Sequence, residues 1–260
     1  MKLFKVAIFL IGAASIFLSA AASADYGHIH LAAPEPNVAA QWYAKHFGGS
    51  VAGFAGETGQ DIPVDRVVYG SIPVIFQKRE NSPGSVGSGV DHIGFSMANV
   101  EDKFASLIAD GAKSLGELRS FGSMTIGFVE DPWGTKIELI DDAELRGLHH
   151  IHLSSPQPTD TLNWYAVRFG GELGKFKGAL DGINYDNKLW LLVSQAKTDV
   201  AGTQGRSLDH LGYNVANLDE AAISLKQNDV KFTLEPRDYR GIRIAFVEGP
   251  DGVRIELVQP

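Results

Sequence analysis

The chain has 260 residues, of which 44% are hydrophobic and 21% charged, an ordinary globular composition sufficient for one large or two small domains. It holds no cysteine, which excludes disulfides, thiolate metal ligands and a cysteine nucleophile. Its formal charge of -8 repels nucleic acid and anionic lipid, and no basic stripe offsets this, so the expected partner is a small molecule.

The first residues read as an export signal. Met1 to Lys5 carry two lysines, Val6 to Ala20 is almost unbroken apolar sequence, and Ala22-Ser23-Ala24 fits the small-x-small cleavage rule. The apolar run is short for a membrane span, which needs about 20 residues. The expectation is therefore a signal peptide over 1–24, cut between Ala24 and Asp25, and a periplasmic or secreted product with no membrane attachment. An uncleaved anchor is the alternative. Loss of Lys2 and Lys5 would move the charge from -8 to -10.

The rest of the chain is a duplication. His28-Ile29-His30-Leu31 recurs as His150-Ile151-His152-Leu153, and the same offset aligns Trp42-Tyr43 with Trp164-Tyr165 and Phe47-Gly48-Gly49 with Phe169-Gly170-Gly171. Residues 91–140 match 209–258 without a gap, with identical partners at Asp91-His92, Glu117, Arg119, Phe128-Val129-Glu130, Gly134 and Ile137-Glu138-Leu139. The copies run over 25–146 and 147–260. The linker Asp141 to Gly147 is short, so the two copies are expected to pack together.

Each copy divides again into strand, helix and about three strands. In the first half Gly27 to Ala33 is β-like, and Asn37 to Phe47 has helical spacing that Gly48-Gly49 stops. Strand signals follow at Val67 to Tyr69 and Ile72 to Phe76. The second half reads as a strand from His92 to Met97, a helix from Val100 to Ala109, and strands at Thr125 to Val129 and Lys136 to Ile140. The last two flank an Asp131-Pro132-Trp133-Gly134 turn, with proline second and glycine last as a type I turn prefers.

Paired βαβββ modules, a histidine on each module's first strand, WY-x-x-x-F-G-G on the odd helices and D-P-x-G-x-x-I-E-L at the end resemble the vicinal-oxygen-chelate superfamily. This is the glyoxalase, bleomycin-resistance and extradiol-dioxygenase group. The resemblance covers essentially all of the chain after the leader. It implies an α+β fold of two tandem domains, each of two modules forming a half-open, eight-stranded cup with a metal at its centre. The resemblance places metal ligands at His28, His92 and Glu138 in one domain and at His150, His210 and Glu256 in the other.

Strand alternation supplies a check that owes nothing to the family. His28 and His30 share one face while Ile29, Leu31 and Ala33 share the other. The same split holds around His92, His150 with His152, His210, Glu138 and Glu256. Two imidazoles and a carboxylate leave open positions on a divalent ion and suit Fe2+, Mn2+ or Zn2+.

Many glyoxalases add a Glu or Gln on the last strand of the odd module, but Ile72 to Gln77 and Leu189 to Gln195 carry no carboxylate. Gln77 offers a side-chain oxygen that could ligate, but at a strand end it reads as a surface residue. His30 and His152, candidate catalytic groups, share the ligand face. They would orient a bound carboxylate, contact substrate or act as acid or base, or else be hydrogen-bonded histidines deeper in the cup. Arg119 and Arg237 are candidate clamps for a substrate carboxylate or else solvated surface groups. His46 and His149 have no counterparts and read as surface residues. The Trp-Tyr pairs read as core aromatics.

The family's shared chemistry is Lewis-acid stabilisation of an enolate or alkoxide. The functional expectation is a metal-dependent isomerase or lyase acting on a small oxygen-rich substrate. An Fe2+ extradiol-type dioxygenase is the first alternative. That branch relies on a tyrosine where this chain has Phe128 and Phe246. A non-catalytic binding protein of the bleomycin-resistance kind is the second.

Overall fold

The computed structural model describes residues 24–54 and 63–260. The expected leader lies outside the described residues apart from Ala24. Four modules follow one another. The first is β1 (Ala24–Ala33), α1 (Pro36–Phe47), β2 (Ser50–Ala52), β3 (Arg66–Tyr69) and β4 (Ile72–Lys78). The second is β5 (Val90–Ser96), α2 (Val100–Ala109), β6 (Lys113–Ser114), β7 (Arg119–Phe121), β8 (Met124–Glu130) and β9 (Lys136–Ile140). The third is β10 (Gly147–Ser155), α3 (Pro158–Phe169), β11 (Glu172–Phe176), β12 (Leu180–Tyr185) and β13 (Leu189–Gln195). The fourth is β14 (Leu208–Val215), α4 (Leu218–Gln227), β15 (Phe232–Tyr239), β16 (Ile242–Glu248) and β17 (Arg254–Gln259). Among the described residues no helix is long and apolar enough to cross a membrane.

The local signals act as expected. α1 and α3 each begin with proline in the first turn, where a missing N–H costs nothing. They end at Gly48 and Gly170, whose φ of 74° and 73° a side-chain-bearing residue would resist. Gly134 closes the turn after β8 by donating its N–H to the Asp131 carbonyl at 3.2 Å.

Two tandem copies and two cups are present, but the modules are shared differently from the expectation. One sheet has the order β15-β16-β17-β14-β1-β4-β3-β2, joining the first module to the fourth. The other runs β11-β12-β13-β10-β5-β9-β8-β6, with β7 also on β8, joining the second module to the third. We call these cup A and cup B. The seam of each is an antiparallel pair of first strands, β1 with β14 and β10 with β5.

The connections explain the exchange. Residues 141–146 are a short link that lets β10 turn back alongside β5, so the second and third modules must be neighbours. The longer links 79–89 and 196–207 cross between the sheets and leave the first and fourth modules to pair. Ser88 and Ala201 form an isolated bridge between the two links. Cup A has the eight strands expected. Cup B has nine because the strand equivalent to β15 is split into β6 and β7.

Ile29, Leu31, Ile93, Phe95, Ile151, Leu153, Leu211, Tyr213, Ile255 and Leu257 are buried in a single apolar core that both sheets share. Each such side chain contributes about 1.5–3 kcal/mol on burial. Since these residues alternate with the histidines and glutamates, the same burial fixes the polar set on the opposite face. The Trp-Tyr pairs belong to this core as expected, with Tyr43 and Tyr165 fully buried and Trp42 and Trp164 packed around them.

Candidate metal centres

At each seam the strand register assembles the ligand groups. On β1 and β14, His28 lies opposite Gly212 and His30 opposite His210. On β10 and β5, His150 lies opposite Gly94 and His152 opposite His92. The two glycines are required. A Cβ at Gly212 would collide with the His28 imidazole, and one at Gly94 with the His150 imidazole. The even module supplies the carboxylate from the adjacent parallel strand, Glu256 beside Gly212 and Glu138 beside Gly94.

The resulting groups are His28, His30, His210 and Glu256 in cup A, and His92, Glu138, His150 and His152 in cup B. In each, one ligand atom per residue lies within 4.8 Å of all the others. All six residues expected as ligands therefore lie in these two groups, but not in the expected sets. His28 joins His210 and Glu256, and His150 joins His92 and Glu138. Each centre draws residues from both copies because the first strands pair across them. The second histidine of each HIHL motif is a fourth member. The strand neighbours that correspond to Glu138 in the odd modules are Ile75 and Leu192, opposite His30 and His152.

Hydrogen bonds orient the rings. Nε2 of His28 and of His210 lie 2.9 and 3.1 Å from Oε2 of Glu256. In cup B the His92 Nε2 is 3.0 Å and the His150 Nε2 3.4 Å from Oε2 of Glu138. Behind the even-module histidines stand carboxylates: Asp91 at 2.6 Å from His92 Nδ1, and Asp209 at 2.6 Å from His210 Nδ1. Lys136 in turn holds Asp91 at 2.5 Å and Arg254 holds Asp209 at 2.8 Å. A carboxylate behind an imidazole fixes its tautomer and raises its basicity as a ligand. The repeated Asp-His dipeptide was the sequence signal for this arrangement. The Lys/Arg partner is far away in sequence and gave none.

The electrostatics follow from burial and these contacts. Burial alone would raise the Glu138 carboxyl, but the His150 and His92 rings beside it outweigh that and hold it well below the carboxylate range. Glu256 is lowered in the same way by His210 and His28. His92 and His210 lose charge stability through burial, yet the acids on both ring nitrogens raise them above an ordinary histidine. Desolvation pushes His28 and His150 down, and His30 and His152 well down.

Cup B opens into a cavity of about 560 Å³. Its apolar lining includes Phe121, Ile126, Phe128, Phe176, Leu180 and Leu192. Arg119, at its mouth, lies 5.1 Å above the Phe128 ring, and Lys197 is a further cation that the sequence reading did not single out. Arg237 is exposed on β15 opposite Ile244. Phe128 and Phe246 abut the ligand rings of His92 and His210 at 5.4 and 5.1 Å.

Three expected surface residues are not at the surface. His46 is buried because its Nε2 lies 2.6 Å from the Asp110 carboxylate, which lets the ring pack under Trp42. His149 is wholly buried, wedged between His150 and Asp142. Gln77 is half-buried beside Ala32, since β4 pairs with β1 from Val74 to Lys78.

Residues 26–139 and 147–257 match the Glyoxalase/Bleomycin resistance protein/Dioxygenase superfamily. The chain belongs to this family, twice over. Glyoxalase I from Zea mays has the same fold, with a TM-score of 0.71 at 17% identity over 91% of this chain and 92% of that one. A Bacillus subtilis protein assigned provisionally as a dioxygenase superposes with a TM-score of 0.63 at 15% identity, over 92% of this chain and 86% of that one. No curated protein matches the chain.

The residues present fit a divalent ion. The donor set is imidazole and carboxylate, it is buried, and the two seam glycines leave room for the rings. His150 Nε2, His152 Nδ1 and His30 Nδ1 are buried polar atoms without a partner, a state that native structures rarely tolerate unless something binds there.

Proposed function

We propose that the chain is an exported, divalent-metal-dependent enzyme that carries out isomerase or lyase chemistry on a small oxygen-rich substrate held in the cups. The observation that carries this reading is the pair of buried His/Glu clusters, each with four donor groups within 4.8 Å. A cup used only to sequester a ligand has no need of such a cluster twice.

His28, His210 and Glu256 would hold the ion in cup A, and His92, His150 and Glu138 in cup B. A divalent ion bound there supplies Lewis acidity toward neighbouring substrate oxygens. The chain's own residues do the rest. The apolar lining of cup B excludes water and strengthens every charge interaction inside. Arg119 and Lys197 receive negative charge on the substrate at the mouth. His152, kept neutral by burial, has its Nε2 2.6 Å from the Ser194 hydroxyl and is placed to accept a proton on the ligand face.

The test is elemental analysis of protein purified without chelator. Two metal equivalents per chain are expected, with Glu138→Gln and Glu256→Gln each removing about one. Should neither substitution alter the metal content, the ligand assignment falls and the binding-protein reading takes its place. The dioxygenase reading has one specific feature in its favour, the two-histidine, one-carboxylate set with a further histidine beside it. Phe128 and Phe246 stand against it, since neither can transfer a proton. Oxygen uptake by iron-loaded protein over a catechol panel would reverse that order.

A further inference from the structure

The two centres differ behind the odd-module histidine. In cup B, Nδ1 of His149 lies 2.7 Å from Nδ1 of His150, and Nε2 of His149 lies 3.2 Å from Oδ2 of Asp142. Oδ1 of the same carboxylate is held by Lys177 at 3.0 Å and by the Glu144 N–H at 3.1 Å. In cup A the position of His149 is taken by Gly27, and the Asn214 side chain packs so closely against it that a Cβ there would lie 2.9 Å from Asn214 Oδ1. Cup A thus has no imidazole at that place.

The proton positions in cup B follow from the contacts. Asp142, held by Lys177 and a backbone N–H, is an acceptor only. His149 therefore donates from Nε2, which leaves its Nδ1 as an acceptor. His150 must then donate from Nδ1, which leaves a lone pair on its Nε2. That atom is buried, unpartnered and 3.4 Å from Glu138. This ordered Asp-His-His chain holds His150 in the one tautomer that can ligate an ion.

We infer that His149 and Asp142 are positioning residues for His150, and that they make cup B the tighter of two unequal metal sites, filled before cup A. This rests on the metal reading above and goes beyond it by ranking the sites. Partners of this kind behind a ligand are worth about 10–100-fold in metal affinity.

The experiment is titration of the metal-free full chain with Co2+, followed by ligand-field absorption, with a competing chelator to resolve the tight step. Wild type should bind in two steps differing by about tenfold or more. Glu256→Gln should remove the weak step only. Asp142→Asn is nearly isosteric. Its carbonyl oxygen stays on Lys177 and Glu144, so its amide faces His149 and donates, which reverses the proton order and puts hydrogen on His150 Nε2. It should weaken the tight step by about 10–100-fold and shift its absorption band, with the weak step unchanged. His149→Leu should do the same, whereas His149→Asn keeps an acceptor for His150 and should restore much of the affinity. Unfolding of the metal-free variants controls for a folding defect.

Two identical steps in wild type would overturn the inference and leave the metal reading standing, as would loss of the tight step in Glu256→Gln or an unchanged tight step in Asp142→Asn. No Co2+ uptake by wild type would defeat both.

Discussion

Tyr43 and Tyr165 occupy the same place in α1 and α3, yet their hydroxyls meet different surroundings. Tyr43 donates to Oδ2 of the buried Asp131 at 2.7 Å, while the buried Tyr165 hydroxyl has no protein partner. The residue equivalent to Asp131 is Gly249, which leaves the second tyrosine without an acceptor. Burial pushes the Asp131 carboxyl up to about 6 despite the hydrogen bond from Tyr43. Tyr43→Phe should cost about 1.5–3 kcal/mol, the value of a hydrogen bond to a charged group, whereas Tyr165→Phe should be neutral or slightly stabilising. Urea unfolding at neutral pH measures both, and equal losses would refute the distinction. The sequence marked both tyrosines as core residues. It did not show which one was satisfied, because the acceptor is distant in the chain.

At the scale of elements, most boundaries were legible because local chemistry sets them. Periodicity and a glycine stop place α1, and the Asp-Pro-Trp-Gly turn places β8 and β9. The division of one edge into β6 and β7 was not legible, and Gly116 at φ 134° lies in the break. The seam strands carry a sharper prediction. Gly212→Ala on β14 should displace the His28 ring on β1, at a packing cost of about 1–3 kcal/mol, and remove the metal equivalent that Glu256→Gln also removes. Gly94→Ala should affect the equivalent that depends on Glu138. Metal analysis of the double variants decides it: Gly212→Ala with Glu256→Gln should lose one equivalent, and Gly212→Ala with Glu138→Gln should lose two. The reverse pattern would mean that each copy builds its own centre.

For the whole molecule, the buried histidines make stability of the metal-free protein depend on pH. His28, His30, His150 and His152 have folded values below the ordinary one, and His149 is lowered by burial to about 4. The unfolded chain takes up these protons first as pH falls. Their contribution is thus complete above about 6.5 and is lost as pH drops toward the folded values. The lowered Glu138 and Glu256 act in the same direction at more acid pH. His92 and His210, raised by their carboxylates, oppose this, since their stabilisation is lost as pH rises through their folded values. His46 is lowered by burial as well, so six lowered rings stand against two raised rings and the raised Asp131, and urea midpoints of the metal-free protein should fall between pH 6.5 and pH 4. A midpoint that rises over that interval would contradict the balance.

The sequence by itself determined the four modules, the family and the face on which every candidate ligand sits. Those depend on duplication and on the period of two along a strand, both local properties of the chain. It also named all six candidate ligand residues, since each is the polar exception within an apolar run. Only the tertiary structure decided which of them share a centre. His28 is nearer in sequence to His92 than to His210, but strand pairing and the short link at 141–146 bring β1 to β14 and β10 to β5. The same is true of His149, a residue without a counterpart whose role exists only because Asp142 and His150 close around it in the folded chain.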